Sequence, residues 1–217
     1  MERITDAFAW PFRDPDGLSK VAIIGLILLI PIVGTINGLG WMLAALDRLR
    51  AGEEKLPPAN FDYLGRGVGL FVVNLVYVLA LIAVGGVLYG LAVVILATQG
   101  HDSPNAFLVA LALALLFMTF GVVTIGSLAL TFATPAITLA VSRGGIAAGL
   151  RLDEIVHMSI RSPLNTLIAG LMLIAVGFIE GLGVVVCCVG IVFTVAYALA
   201  AQAWIVRSFE VASAPTA

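Results

Sequence analysis

Six hydroxyl side chains, Thr124, Ser127, Thr131, Thr134, Thr138 and Ser142, recur at steps of three and four residues, so they share one face of a helix. In an apolar stretch such hydroxyls bond back to the carbonyl one turn earlier or reach a neighbouring helix. The functional alternative is a hydrated groove that a small solute could follow. Glu180 is the one ionisable side chain between Arg161 and Arg207. An acid at the bilayer centre costs about 2.5–3.5 kcal/mol on insertion scales, and such residues tend to be functional. Glu180 lies sixteen residues beyond Leu164, about 24 Å along a helix, which places it near the far interface. It reads as an interfacial acid, with a proton or cation site as the alternative. The six hydroxyls and Glu180 together form the candidate polar groove.

Other chemistries lack their parts. Cys187 and Cys188 are adjacent and could bridge only through a strained ring. A metal would need further ligands, and His101 and His157 are both distant in sequence. No serine, cysteine or histidine has the partners that nucleophilic catalysis requires. Leu64-Gly-Arg-Gly-Val-Gly69 has no preceding strand and no Lys-Ser/Thr, so it is no phosphate loop. The expectation is a protein that is not an enzyme and carries no cofactor, metal or catalytic residue. With 11 basic and 13 acidic side chains, a net charge of −2, there is no basic field to hold nucleic acid.

The elements that position these residues are those of a membrane protein. Hydrophobic residues make up 61% of the 217 positions and charged residues 11%, against about 45–50% and about 25% in soluble domains. The mean hydropathy is +1.14. Crossing a hydrocarbon core of ~30 Å takes about twenty helical residues, and spans are expected at about 70–96, 107–130, 164–186 and 191–209. The last two come from 43 uncharged or nearly uncharged residues, Leu164 to Val206. As one helix these would reach ~65 Å, so a break is expected at Cys187–Gly190. Pro135 marks an expected bend in the extension of the second span.

All eleven basic residues fall outside the uncharged apolar stretches, the last of which ends at Val206, and the connections Thr98–Asn105 and Cys187–Gly190 carry none. Basic loops stay cytoplasmic, so Arg48–Arg66, Arg143–Arg161 and Arg207 are expected inside, with both termini. Residues 1–20 mix acids and bases ahead of the apolar run and are expected to be retained as an interfacial leader, with Ile4, Phe8 and Phe12 at helical spacing. A single crossing by residues 21–46 would put that leader outside. The run is interrupted by Pro31-Ile-Val-Gly34 and by Gly38 and Gly40, leaving two pieces of about 13 residues, each about 20 Å long. These fit a re-entrant hairpin; a kinked fifth span is the alternative. The fold class is therefore all-α, one integral membrane domain: a polytopic helical bundle of four full spans plus the broken N-terminal hairpin.

Two further patterns bear on assembly. A loose duplication relates Pro31–Leu64 to Pro135–Ile155, each stretch followed by a pair of spans. Glycine pairs four apart, Gly34/Gly38, Gly86/Gly90, Gly145/Gly149 and Gly177/Gly181, suit close helix packing. Ile146–Arg161 has the pattern of an interface-lying helix, with Leu150, Ile155 and Met158 near Arg151 and Arg161, and with Asp153, Glu154 and His157 toward the cytosol.

The run Trp10-Pro-Phe-Arg-Asp-Pro-Asp-Gly-Leu-Ser-Lys20 leads into Ile30-Pro-Ile-Val-Gly34. Gly40-Trp41, Arg48, Gly52 and Leu56-Pro57-Pro58-Ala-Asn-Phe61 follow, then Gly67 and Gly69. With Phe132-Ala-Thr-Pro135, Arg143-Gly144, Pro163 and Gly190-Ile-Val-Phe-Thr194, the chain resembles a family of prokaryotic multipass membrane proteins known as a domain of unknown function. The resemblance departs after the Leu-Pro pair, where Pro58-Ala59 replaces the usual acid. It implies an all-helical integral membrane protein and brings no substrate, cofactor or catalytic residue. The expected location is the cytoplasmic (inner) membrane. The function expected from small loops, small residues and little buried charge is an accessory or structural subunit. Its partners would be membrane lipids and other membrane subunits or copies of itself. The alternative is a small transporter or channel using the hydroxyl-lined groove.

Overall fold

Backbone N–H and C=O groups cannot be left bare in hydrocarbon, and this chain satisfies them within helices. The computed structural model describes residues 4–99, 105–185 and 188–214. Two short 3-10 turns, Ile4–Phe8 and Trp10–Phe12, precede seven α-helices: α1 (Gly17–Leu28), α2 (Val33–Arg50), α3 (Leu64–Ala97), α4 (Ala106–Gly149), α5 (Leu152–Arg161), α6 (Pro163–Val185) and α7 (Cys188–Ala212). No strand occurs among the described residues. Four helices, α3, α4, α6 and α7, are long and apolar enough to cross a membrane, where four spans are expected. The expected break at Cys187–Gly190 begins outside the described residues. By its internal contacts the chain forms two units, Met1–Val73 with Thr131–Ala217, and Asn74–Leu130.

The apolar run at 21–46 is split at Pro31, as its composition predicts. The joint between α1 and α2 is a γ-turn: Val33 N–H donates to the Pro31 carbonyl at 2.7 Å across Ile32, whose φ is 64° and ψ −62°. That geometry is uncommon and strained for a β-branched residue. Leu29, Ile30, Ile32 and Val33 are all exposed there, an apolar tip.

The opposite ends of the hairpin meet. Lys20 Nζ and Arg48 Nη1 both donate to the Leu56 carbonyl, at 3.1 and 3.3 Å. Asp14 Oδ2 accepts from Lys20 Nζ at 2.7 Å and from the Leu56 N–H at 2.9 Å. Burial alone would push the Asp14 carboxyl up, but the Lys20 ammonium and the N–H groups of Asp16 and Leu56 outweigh it and hold the carboxyl below its ordinary value. The two ends of the hairpin thus meet in one polar knot. The Leu56-Pro57-Pro58 turn is clamped inward: Leu56 is fully buried, and Trp41 Nε1 donates to the Pro57 carbonyl at 3.3 Å.

In the first unit α7 is central, packed by α1, α2, α6 and the N-terminal turns. Ala196, Ala198, Ala200, Ala201 and Ala203 are fully buried along it, and their small side chains let neighbours close in. The leader is anchored on this helix. Trp10, fully buried, donates from Nε1 to the Ala200 carbonyl at 3.3 Å, and Tyr197 Oη donates to the Phe8 carbonyl at 2.8 Å. In the second unit α3 and α4 meet where Gly85 faces Val123 and Gly126 faces Leu81.

The bend expected at Pro135 is not where the helix breaks. Helical structure continues through Pro135, and the backbone leaves helical angles at Gly145, with φ 69° and ψ −159°. A proline removes one donor, which a membrane helix tolerates when nearby groups serve the freed carbonyl. A positive φ, which glycine adopts without steric cost, kinks the helix there.

Where α2 passes the start of α3, glycine is required on both sides. A Cβ on Gly40 would strike the Tyr63 carbonyl oxygen, and one on Gly67 the Ile36 carbonyl oxygen. Gly65, two residues earlier and on another side of the helix, meets nothing within 4 Å. Gly67→Ala is therefore expected to destabilise the purified protein by about 1–3 kcal/mol, and Gly65→Ala to leave it unchanged or slightly more stable. Thermal unfolding in detergent, followed by helical circular dichroism, distinguishes the two.

Candidate functional site: an arginine-rich cleft

Basic residues held outside the spans converge on one acid. Glu210, near the end of α7, has a side chain only 12% exposed. Arg50 from the end of α2 grips it with two parallel bonds, Nε to Oε2 at 3.0 Å and Nη2 to Oε1 at 2.9 Å. Arg143 of α4 donates to Oε1 at 2.8 Å, and Arg207, one turn before Glu210, donates to Oε2 at 2.9 Å. The fork of a guanidinium matches a carboxylate bidentately, which fixes geometry as well as charge. Asp47 extends the network, accepting from Arg50 Nη1 at 3.1 Å and pairing with Arg66.

Beside this cluster lies a cleft of about 900 Å³, walled by Leu139 and Arg143 of α4, by Asp153, Glu154, His157, Met158 and Arg161 of α5, and by Arg207, Phe209 and Glu210 of α7. α5 has the expected amphipathic pattern. Its Ile155 is buried, whereas Leu152, Val156 and Ile160 are exposed at steps of four, one apolar stripe on the helix. The polar residues Asp153, Glu154, His157 and Arg161 face the cleft. Glu154 is held by Arg151 at 2.7 Å. Arg161 has no hydrogen bond or ion pair among the described residues. Among those residues, no cluster of three or more His, Cys, Asp or Glu could hold a metal.

The structure spreads the candidate polar groove rather than gathering it. Thr124 and Ser127 are exposed, Thr131 and Thr134 half-buried, and Thr138 fully buried. Ser142 alone joins the arginine cluster, accepting from Arg50 Nη2 at 3.1 Å and donating to the Leu139 carbonyl at 2.9 Å. None of the six walls the large cleft. Glu180 is half-buried on α6 and makes no hydrogen bond or ion pair among the described residues. Cys187 and His101 lie outside the described residues.

Sequence reading used Arg50, Arg143 and Arg207 only as markers of sidedness and passed over Glu210. The one local signal was the Arg207–Glu210 spacing of three. The other two partners are 160 and 67 residues away, which spacing cannot reveal.

Removing the acid leaves three guanidinium groups facing one another. Glu210→Gln is expected to destabilise the protein by about 2–3 kcal/mol, the scale of charged hydrogen bonds. Salt should discriminate this from a simple packing defect. Raising sodium chloride screens cation–cation repulsion, so the melting temperature of the variant should recover part of the loss while that of the wild type stays level or falls. Parallel melting curves across ionic strength check this; equal salt responses would refute it.

No curated protein and no solved structure matches the chain. A family model described as "Protein of unknown function (DUF4013)" matches residues 23–209. The match runs from within α1 to Phe209 of α7, so it includes Arg207, stops one residue short of Glu210 and leaves out the Trp10–Lys20 leader motif. The four apolar helices and the matched length agree with the resemblance drawn from the Pro31, Leu56-Pro57 and Pro135 motifs: the chain belongs to the DUF4013 family.

Proposed function

We propose that the protein is an accessory or structural subunit of a larger complex in the cytoplasmic membrane of a prokaryotic cell. The observation that carries this reading is an unoccupied small-residue face. A Cβ added at Gly86 or Gly90 on α3 meets nothing within 4 Å, and the same holds for Gly177 and Gly181 on α6. Glycines four apart let a second helix approach closely enough for backbone contact, which drives helix association in lipid. The spans themselves are sparsely covered. In the most apolar 18-residue window, 11% is buried in α3 and 6% in α4, against 56% in α7. Lipid can cover such surface, but glycine pairs gain nothing from lipid that alanine would not.

The clustered arginines support an orientation with this polar end in the cytoplasm, so both termini and the two ends of the α1–α2 hairpin belong on that side. In a Cys187→Ser/Cys188→Ser background, a cysteine introduced by Thr5→Cys should resist a membrane-impermeant maleimide in intact cells and react after permeabilisation. Labelling of intact cells would overturn the orientation.

The subunit reading is tested by the mass of the particle. Expressed at native level and extracted in mild detergent, the 22.6 kDa chain should travel in a defined hetero-complex. Gly86→Leu with Gly90→Leu should release the partner without lowering the melting temperature of the chain. A lone monomer or a homo-oligomer from the wild type would overturn the proposal.

A further inference from the structure

The charges on the cleft wall are unequally engaged. Arg143, Arg161 and Arg207 line it with Asp153, Glu154 and Glu210, but Glu210 is already held by Arg50, Arg143 and Arg207 and Glu154 by Arg151. The donors left over are those of Arg143 and Arg161. Arg143 spends one of its five N–H donors on Glu210 and is 57% exposed. Arg161, the last residue of α5, spends none on any described residue, and Ser213 on the cleft wall has a buried Oγ with no hydrogen-bond partner among them. Unspent guanidinium donors and a hydroxyl around one cavity suit a phosphate, which accepts in the plane of the fork.

The flank of the cleft says which kind of phosphate. Leu152, Val156 and Ile160 are 60%, 50% and 69% exposed along α5, directly beside the polar face that lines the cleft. Leu164 and Leu167 continue the exposed apolar surface onto α6. A water-soluble phosphate has no use for that surface, whereas a lipid has a phosphate and acyl chains side by side at this depth. Basic pockets between membrane helices on the polar side are suited to anionic headgroups.

We propose that the cleft between α5 and the ends of α4 and α7 is a binding site for an anionic glycerophospholipid. Arg161 and the free edge of Arg143 take the phosphate, and the chains lie along Leu152, Val156 and Ile160. The site does not depend on the subunit reading, because a monomer would hold the lipid equally well.

Full-length protein in neutral detergent would be incubated with an equimolar mixture of phosphatidylglycerol and phosphatidylcholine, and the retained lipids weighed by native mass spectrometry. The wild type should prefer phosphatidylglycerol by about tenfold, the worth of one charged hydrogen-bonded contact. Arg161→Gln should abolish most of that preference, Arg161→Lys should keep part of it, and Lys55→Gln, the same charge change on an exposed loop, should keep all of it. Leu152→Ser with Val156→Ser should weaken retention of both lipids. A wild type without preference overturns the site before any variant is needed, and so does an Arg161→Gln protein that retains the full preference. Displacement of the lipid by millimolar inorganic phosphate would reassign the cleft to a soluble phosphate and overturn the lipid.

Discussion

Three arginines from three helices share one carboxylate, and the arrangement of the polar end follows from that. Arg50 closes α2, Arg143 sits on α4 shortly before its break at Gly145, and Arg207 lies one turn below Glu210 on α7. Isolated surface ion pairs contribute little, about 0–1 kcal/mol. Here the acid is mostly covered and receives four hydrogen bonds, so losing it would strand several charges at once. Because these helices lie far apart in the chain, the cluster fixes how deep each one sits relative to the others. Apolar packing cannot do this, since a greasy helix can slide along its axis with little loss of buried area.

The side packing answers a different problem. In lipid, apolar side chains gain little by leaving one greasy surface for another, so close fit and backbone approach take over. α7 achieves the fit with its buried alanines and α2 with Gly40 against the start of α3. The hairpin of α1 and α2 joins helices of 12 and 18 residues. It is held by polar bonds at its base, with Asp14, Lys20, Arg48 and Leu56 joined in one knot. The hairpin thus carries its polar bonds at the base and an apolar γ-turn at the tip.

The spans were legible because the length of an apolar run is itself the signal, and about twenty residues without charge have few other uses. The split at Pro31 was legible for the same reason: each piece was too short alone. Pro135 lies within continuous helix, since proline removes a single bond from a long helix whose remaining bonds hold, whereas the backbone departs from helical angles at Gly145, one glycine among 23. The loose duplication also fails in detail. Pro31 separates two helices while Pro135 lies inside one, and Leu152–Arg161 is a helix while Phe61–Tyr63 is a turn. Of the polar groove, Ser142 alone took part in the cluster, since a regular step along one helix says which face residues share and nothing of what that face meets.

Glu210 also explains why the polar end can be crowded with cations at all. Arg50, Arg143 and Arg207 could not lie within reach of one another across a half-buried site without an acid among them, because close like charges repel strongly where water is sparse. One acid suffices to hold the three, but it cannot neutralise them, so the cluster keeps a positive remainder on its open side. The same stoichiometry that locks α2, α4 and α7 together therefore leaves guanidinium donors of Arg143 on the cleft wall, to which α5 adds Arg161 as well as Asp153 and Glu154.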